Sequence, residues 1–350
     1  MPRLEMPPIE PLCERVQANC DIADARHAGA LTMCVYLLKM REYFRWEMGL
    51  DFTARLPNDA VGRWIQEREE RWEELGEESY RPVSIRGREY DPFDTEGINE
   101  ALLPEGYVYS AGLGLHKVPH FFLGRLLGEQ GQGGYRIYEA REECARDLAA
   151  PPAMTLGQTI FVRRESLRRM LWERLQEWRW NRQENALGEA LRCYPFDEDL
   201  ESALDAMTEC EARTLILHEI GEIEVGRELG EDWHELLHAL PRGMAELGLR
   251  AVRDHWADCQ VTLPALLEDG NRAALLFYRA GLTAMRRQLF PELVEAFDCW
   301  RDEHDEGVLL KTVDRGRAHW GETAKQLLHA GSRSRTPAKK LTSILEAAAL

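Results

Sequence analysis

The sequence predicts a mainly α protein, with an N-terminal α+β domain carrying a small antiparallel sheet and a C-terminal helical bundle. Three observations predict it. Apolar residues recur at helical spacing through 20–49, 165–191, 208–230, 244–267 and 271–330, the pattern of helices with a buried stripe. Runs rich in β-branched and aromatic residues are confined to 107–163. Between these regions, Cys193-Tyr-Pro-Phe-Asp197 supplies a proline that stops one helix and an aspartate suited to cap the next. A chain of 350 residues suits two domains. They are expected at 1–195 and 196–330, followed by a basic, mobile tail at 331–350.

Taken in order, residues 1–19 read as a Pro-rich lead-in and a short helix, and 20–49 as one long helix whose apolar middle, 31–40, is expected at the centre of the first domain. Segment 58–78 reads as a solvated helix with an edge of Trp64 and Trp72. Loops follow to Pro104. Strands are expected at 107–110, 120–127 and 135–140, the last two joined by a hairpin at Gly131-Gln-Gly-Gly134, with 158–163 closing the sheet. A helix follows over 165–191. Residues 198–207 make a short helix, and Thr208 starts the next with a Thr-x-x-Glu capping box to Glu211. Pro264 kinks the helix that contains Asp258. Two or three helices fill 271–330, over 272–289, 291–304 and 309–329, and SILEAAAL supplies a short terminal helix or docking segment.

A net charge of -17 argues against nucleic acid as a partner, because phosphate binding needs a basic surface. No run approaches the ~20 apolar residues of a membrane span. Eight cysteines lack any C-x-x-C spacing and read as small core residues, Cys34 and Cys259 among them, in a reducing compartment; the cytoplasm is the expected location.

Chemistry concentrates in two ligand pairs at helical i, i+4 spacing, His218 with Glu222 and Asp254 with Asp258. Such pairs sit one above the other on a helix face. On packed helices they would gather one imidazole and three carboxylates, a set suited to a divalent metal, Mn, Fe or Zn. Glu211 would be an outer ligand, and Glu219 would serve as general base for a metal-activated water. Gly221, Ala251 and Ala257 would let the two backbones approach. The competing reading is a salt-bridge network, with Arg250, Asp254 and Asp258 as an ion ladder and His218 bonded to Glu222. Glu231/His234 and Glu235/His238 repeat E-x-x-H on one short polar segment and read as surface. His116 and His120, with Glu139 or Glu142, form a weaker candidate.

The runs CDIADARHAGALTMCVYLLKMREYFRWE, HKVPHFFL, LHEIGE and RDHWADCQVTLPALL together resemble a bacterial family of two-part proteins without assigned activity. The likeness spans roughly 8–330 and omits the tail. It implies a bacterial cytosolic protein with N- and C-terminal family domains, and no catalytic residue. H-E-x-x-H peptidases carry a second His where this chain has Glu222. The first functional expectation is a metal-dependent hydrolase outside that peptidase class, with an unknown small molecule or a protein as partner. The alternatives are a non-enzymatic scaffold that binds a protein partner, and a helical di-metal oxidase.

Overall fold

The computed structural model describes residues 9–114, 117–181, 185–303, 305–332 and 337–350. The chain divides into two compact units, Met1–Trp172 and Glu173–Leu350, so the Pro195 turn lies inside the second.

In the first unit, α1 (Glu10–His27) starts with a proline in its first turn, where a missing N–H costs nothing. It does not run on to residue 49. A 3-10 turn at Ala28–Ala30 and extended backbone at Thr32 separate it from α2 (Met33–Glu47). Gly29 and Thr32 are poor helix formers. The end of α1 is also pinned, because Asp24 accepts from the Leu148 amide at 2.9 and 3.1 Å. The apolar run at 31–40 is not the domain centre: Met33 is 69% and Leu38 61% exposed, with Leu31, Val35 and Leu37 beside them. Only the second half of α2 turns inward, where Met40, Tyr43 and Phe44 pack with Trp64 and Trp72 of α3 (Asn58–Leu75). Arg68, one turn from each tryptophan, is buried, lies over the Trp64 ring at 4.9 Å and pairs with Asp21 at 3.1 Å.

A hairpin of β1 (Val83–Ile85) and β2 (Arg88–Tyr90) turns through Arg86 and Gly87, both at positive φ, as a two-residue hairpin loop requires. After α4 (Thr95–Leu102) comes a five-stranded sheet. Its strands are β3 (Tyr107–Leu113), β4 (Pro119–Gln132), β5 (Tyr135–Arg146), β6 (Ala153–Leu156) and β7 (Thr159–Arg163), in the order β3-β4-β5-β7-β6. The β4–β5 hairpin turns at Gly133 and Gly134. All pairings are antiparallel except β5 with β7: β6 returns along the edge, and the tight turn after it lays β7 parallel to β5. Glu143 of β5 is fully buried against Arg163, with contacts of 3.1 and 2.6 Å. Helix α5 (Arg164–Asn181) leaves the sheet and contains the division between the units.

The second unit is helical throughout its described residues. After α6 (Ala186–Leu191), Asp199 caps α7 (Leu200–Leu229) by accepting from the Ser202 amide. The expected break at Thr208 is absent. The Thr208 hydroxyl donates to the Leu204 carbonyl within the helix, so the capping box to Glu211 does not form. Next come α8 (Glu231–Ala239) and α9 (Met244–Ala257). The chain then makes a π-helical turn at Asp258–Thr262 before α10 (Leu263–Glu268). Proline at 264 has no N–H to continue the α ladder, and the wide turn absorbs the loss.

Residues 272–289 form two helices rather than one: α11 (Arg272–Gly281) and α12 (Ala284–Leu289), the second capped by Thr283. Then come α13 (Pro291–Glu303), α14 (Glu306–Ser332) and α15 (Pro337–Ala347). The expected mobile tail is corrected over 337–350. Leu341 and Leu345 are buried, and Leu345 lies so close to Gly248 of α9 that a Cβ there would meet it at 2.3 Å. Trp233, Trp320, Phe290 and Phe297 fill the centre of this unit.

Candidate metal centre and ion network

α7 and α9 touch where the sequence suggested. A Cβ on Gly221 would stand 2.7 Å from the Ala257 carbonyl oxygen, so only glycine permits this approach. His218 and Glu222 on α7 then face the end of α9 and the π-turn. The His218 Nδ1–H donates to Asp258 Oδ1 at 2.7 Å, and its Nε2 lies 3.4 Å from Glu222 Oε1. One donor atom each from His218, Glu222 and Asp254 fall within 4.8 Å of one another. Their side chains are 23%, 21% and 24% exposed, so the group opens to solvent.

Asp258 differs from the other three. It is 1% exposed and saturated by the π-turn and by α11 and α12. Thr262 Oγ1 donates to its Oδ1 at 2.9 Å, Tyr278 OH donates to Oδ2 at 3.0 Å, and Arg286 binds Oδ2. It lies on the Nδ1 side of the imidazole, outside the group of three whose donor atoms converge. Glu211 also lies apart. Seven residues before His218, it is about 10 Å further along the helix at 1.5 Å per residue. It is buried, and its Oε1 has no hydrogen-bond partner among the described residues. Burial pushes its carboxyl up to about 8, so it is a neutral acid at neutral pH. Glu219 is half-buried, and its charge acts on Arg253.

Two arginines complete the site, and neither was foreseen. Arg253 Nη2 contacts Glu222 Oε1 and lies 3.3 Å from Asp254 Oδ1. Arg286, on α12, binds both Asp258 and, at 2.8 Å, the Tyr278 hydroxyl. The expected Arg250 ladder does not form, because Arg250 pairs instead with Glu246 at 2.8 Å. Sequence neighbours point to different helix faces, which hid Arg253 beside Asp254. Arg286 became visible only through the break between α11 and α12.

The protonation states follow from these contacts. Burial opposes charge on His218, but Asp258 and Glu222 outweigh it and hold the imidazole well above its ordinary value. Burial likewise opposes charge on Glu222, yet Arg253 and His218 bring its carboxyl down to about 2. Burial and the Glu222 charge raise Asp254. The cluster therefore sets three cations (His218, Arg253, Arg286) against three carboxylates (Glu222, Asp254, Asp258). His255 stands behind it as a neutral ring. Burial and Arg286 bring it down to about 3, it stacks on Trp320 at 5.2 Å, and its Nε2–H donates to the Arg286 carbonyl at 3.0 Å.

The other candidates resolve separately. The E-x-x-H residues Glu231, His234, Glu235 and His238 are exposed on α8. His120 meets Asp147 at 3.1 Å, whereas Glu139 binds Arg164 and Glu142 binds Arg125; His116 lies outside the described residues.

The fold and site define a two-unit protein: a sheet-bearing first part, and a helical second part with a half-buried charge cluster. The chain belongs to the family of unknown function DUF6866. Its N-terminal domain matches residues 11–163 and its C-terminal domain matches 168–348, so the match takes in the tail. No curated protein and no solved structure matches the chain.

Proposed function

We propose that the second unit is a non-enzymatic helical scaffold whose charge cluster fixes the register of α7 against α9 and the π-turn. One observation carries this reading. The Arg253 guanidinium occupies the space between Glu222 and Asp254 that a shared cation would take, and it balances the cluster at three charges against three. A divalent ion would have to displace that guanidinium and the His218 proton together. The ion would replace the two charges it displaces, but the Arg253 guanidinium would lose both carboxylates it contacts at a partly buried position, a cost of several kcal/mol. With 61 acidic against 44 basic residues, the surface suits a basic protein partner rather than nucleic acid.

A second reading is a single divalent-cation site for Mn, Fe or Zn. It is favoured by the convergence of His218, Glu222 and Asp254 within 4.8 Å and by the carboxylate on His218 Nδ1, which orients metal-ligating histidines elsewhere. Glu219 would then be the base of a hydrolase. Among the described residues no second ligand group accompanies this one, so a di-metal oxidase has no support.

Elemental analysis of full-length protein purified without chelator separates the readings, with His218→Ala, Asp254→Ala and Arg253→Ala alongside. The scaffold reading expects far less than one equivalent of Mn, Fe or Zn in every form, before and after incubation with each ion. One equivalent in the wild type that disappears in His218→Ala and Asp254→Ala would overturn it.

A further inference from the structure

We propose that Cys13 and Cys144 are a redox-active pair that closes to a reversible disulfide between α1 and β5 of the first unit. The structure holds both as free thiols, each partly exposed. Their facing is set by the backbone. Gln17, one turn after Cys13, clamps Arg146, two residues after Cys144. Its Nε2 donates to the Arg146 carbonyl at 3.1 Å, and its Oε1 accepts from the Arg146 amide at 3.1 Å. The clamp holds the first turns of α1 against the end of β5, and Cys13 and Cys144 both pack against the same apolar core there. Cys144 is also the extra residue of a β-bulge, because Leu123 pairs with Ala145 while Gly124 pairs with Glu143. Bulges re-aim a side chain out of the regular ladder.

The two thiols are near enough for each to act on the other's protonation. Both line an open cavity of about 480 Å³ with Trp46, Arg68 and Arg71, through which a small oxidant reaches them. The Arg125 charge lies beside Cys144 and favours its thiolate, whereas the Glu10 charge beside Cys13 opposes one, so Cys144 is the attacking sulfur.

The oxidant class is a peroxide. The Cys144 thiolate attacks hydrogen peroxide; the O–O bond breaks and a sulfenic acid forms with release of hydroxide. The Cys13 sulfur then attacks that sulfenic sulfur. The S–S bond forms, the S–O bond breaks, and the Cys13 proton leaves with the hydroxyl as water. Two thiols and one peroxide give one disulfide and two waters, with two electrons passing from sulfur to oxygen.

The test uses the full chain, reduced and then exposed to hydrogen peroxide in small molar excess. Remaining thiols are alkylated and peptides are mapped by mass spectrometry. The expected result is a fall from eight alkylated cysteines to six, one linked peptide joining residues 13 and 144, and recovery of all thiols with dithiothreitol. In Cys13→Ser, Cys144 should stop at a sulfenic acid captured by dimedone. Eight surviving thiols, links between other cysteines, or loss of Cys144 to sulfinic acid without a link would each overturn the proposal. The wild-type measurement stands even if the variant does not fold.

Discussion

The two units each bury charge, and they do so differently. In the first, Glu143 and Arg163 are both 0% exposed, bound at two points, and Glu143 also accepts from the Ser166 amide at 3.2 Å. In the second, His218, Glu222 and Asp254 remain 21–24% exposed, with only Asp258 sealed. A fully buried, geometrically matched carboxylate–guanidinium pair has no exchangeable partner; its charges are part of the fold. A cluster open to water and containing an imidazole responds to protons and can exchange contacts. The comparison separates a structural ion pair from a tunable one by exposure and by the type of cation, not by the number of charges.

The sharpest break in that comparison is Glu143→Ala, which removes the two-point partner of Arg163 and leaves it only the charge of Asp147. It should cost about 3–5 kcal/mol in urea unfolding followed by a first-unit probe; a loss under 1 kcal/mol would erase the distinction. Next is Glu211→Gln. The folded carboxyl sits near 8 and the unfolded one near 4.5, so the wild type loses stability as pH rises between those values. The substitution should relieve this, stabilising the protein by on the order of 3 kcal/mol at pH 8 and little at pH 4.

A smaller effect attaches to His218. Its folded value is raised, so its contribution is fully present below the unfolded value of about 6.5 and fades as pH rises through the folded one. Thermal melts of the wild type should decline from pH 7 to 9, and His218→Gln should flatten that slope while costing ~1–2 kcal/mol at pH 6. Glu222 runs the other way: its stabilisation holds above about 4.5 and is lost as pH falls through about 2. Smallest is Arg250→Ala, about 1 kcal/mol, since Arg250 is itself part-exposed and pairs with Glu246 on its own helix. A cost as large as that of Arg253→Ala would restore the ladder that the sequence suggested.

How much was legible shows in three residues. The i, i+4 pairs on α7 and α9 were readable, because helical spacing fixes which side chains share a face, and Gly221 was readable as the point of contact. Arg253 was not, because spacing rules ignore a long side chain that doubles back beside its neighbour. Arg286 was not, because 272–289 carries one continuous helical pattern, and only the break at Leu282 and Thr283 turns α12 so that its arginine reaches Asp258. The same limit misplaced 31–40, where apolarity gave a preference for burial but no partner to bury against.

By itself the amino-acid order determined which stretches are helical and which extended, the mixed first part and helical second part, and the set of residues able to meet. Those follow from backbone sterics and side-chain periodicity, which act over a few residues. Tertiary structure alone decided which cation each carboxylate receives, that Asp258 is sealed while Asp254 is open, and that one apolar helix half stays in water. Such outcomes depend on distances between segments far apart in the chain, and no local rule encodes them.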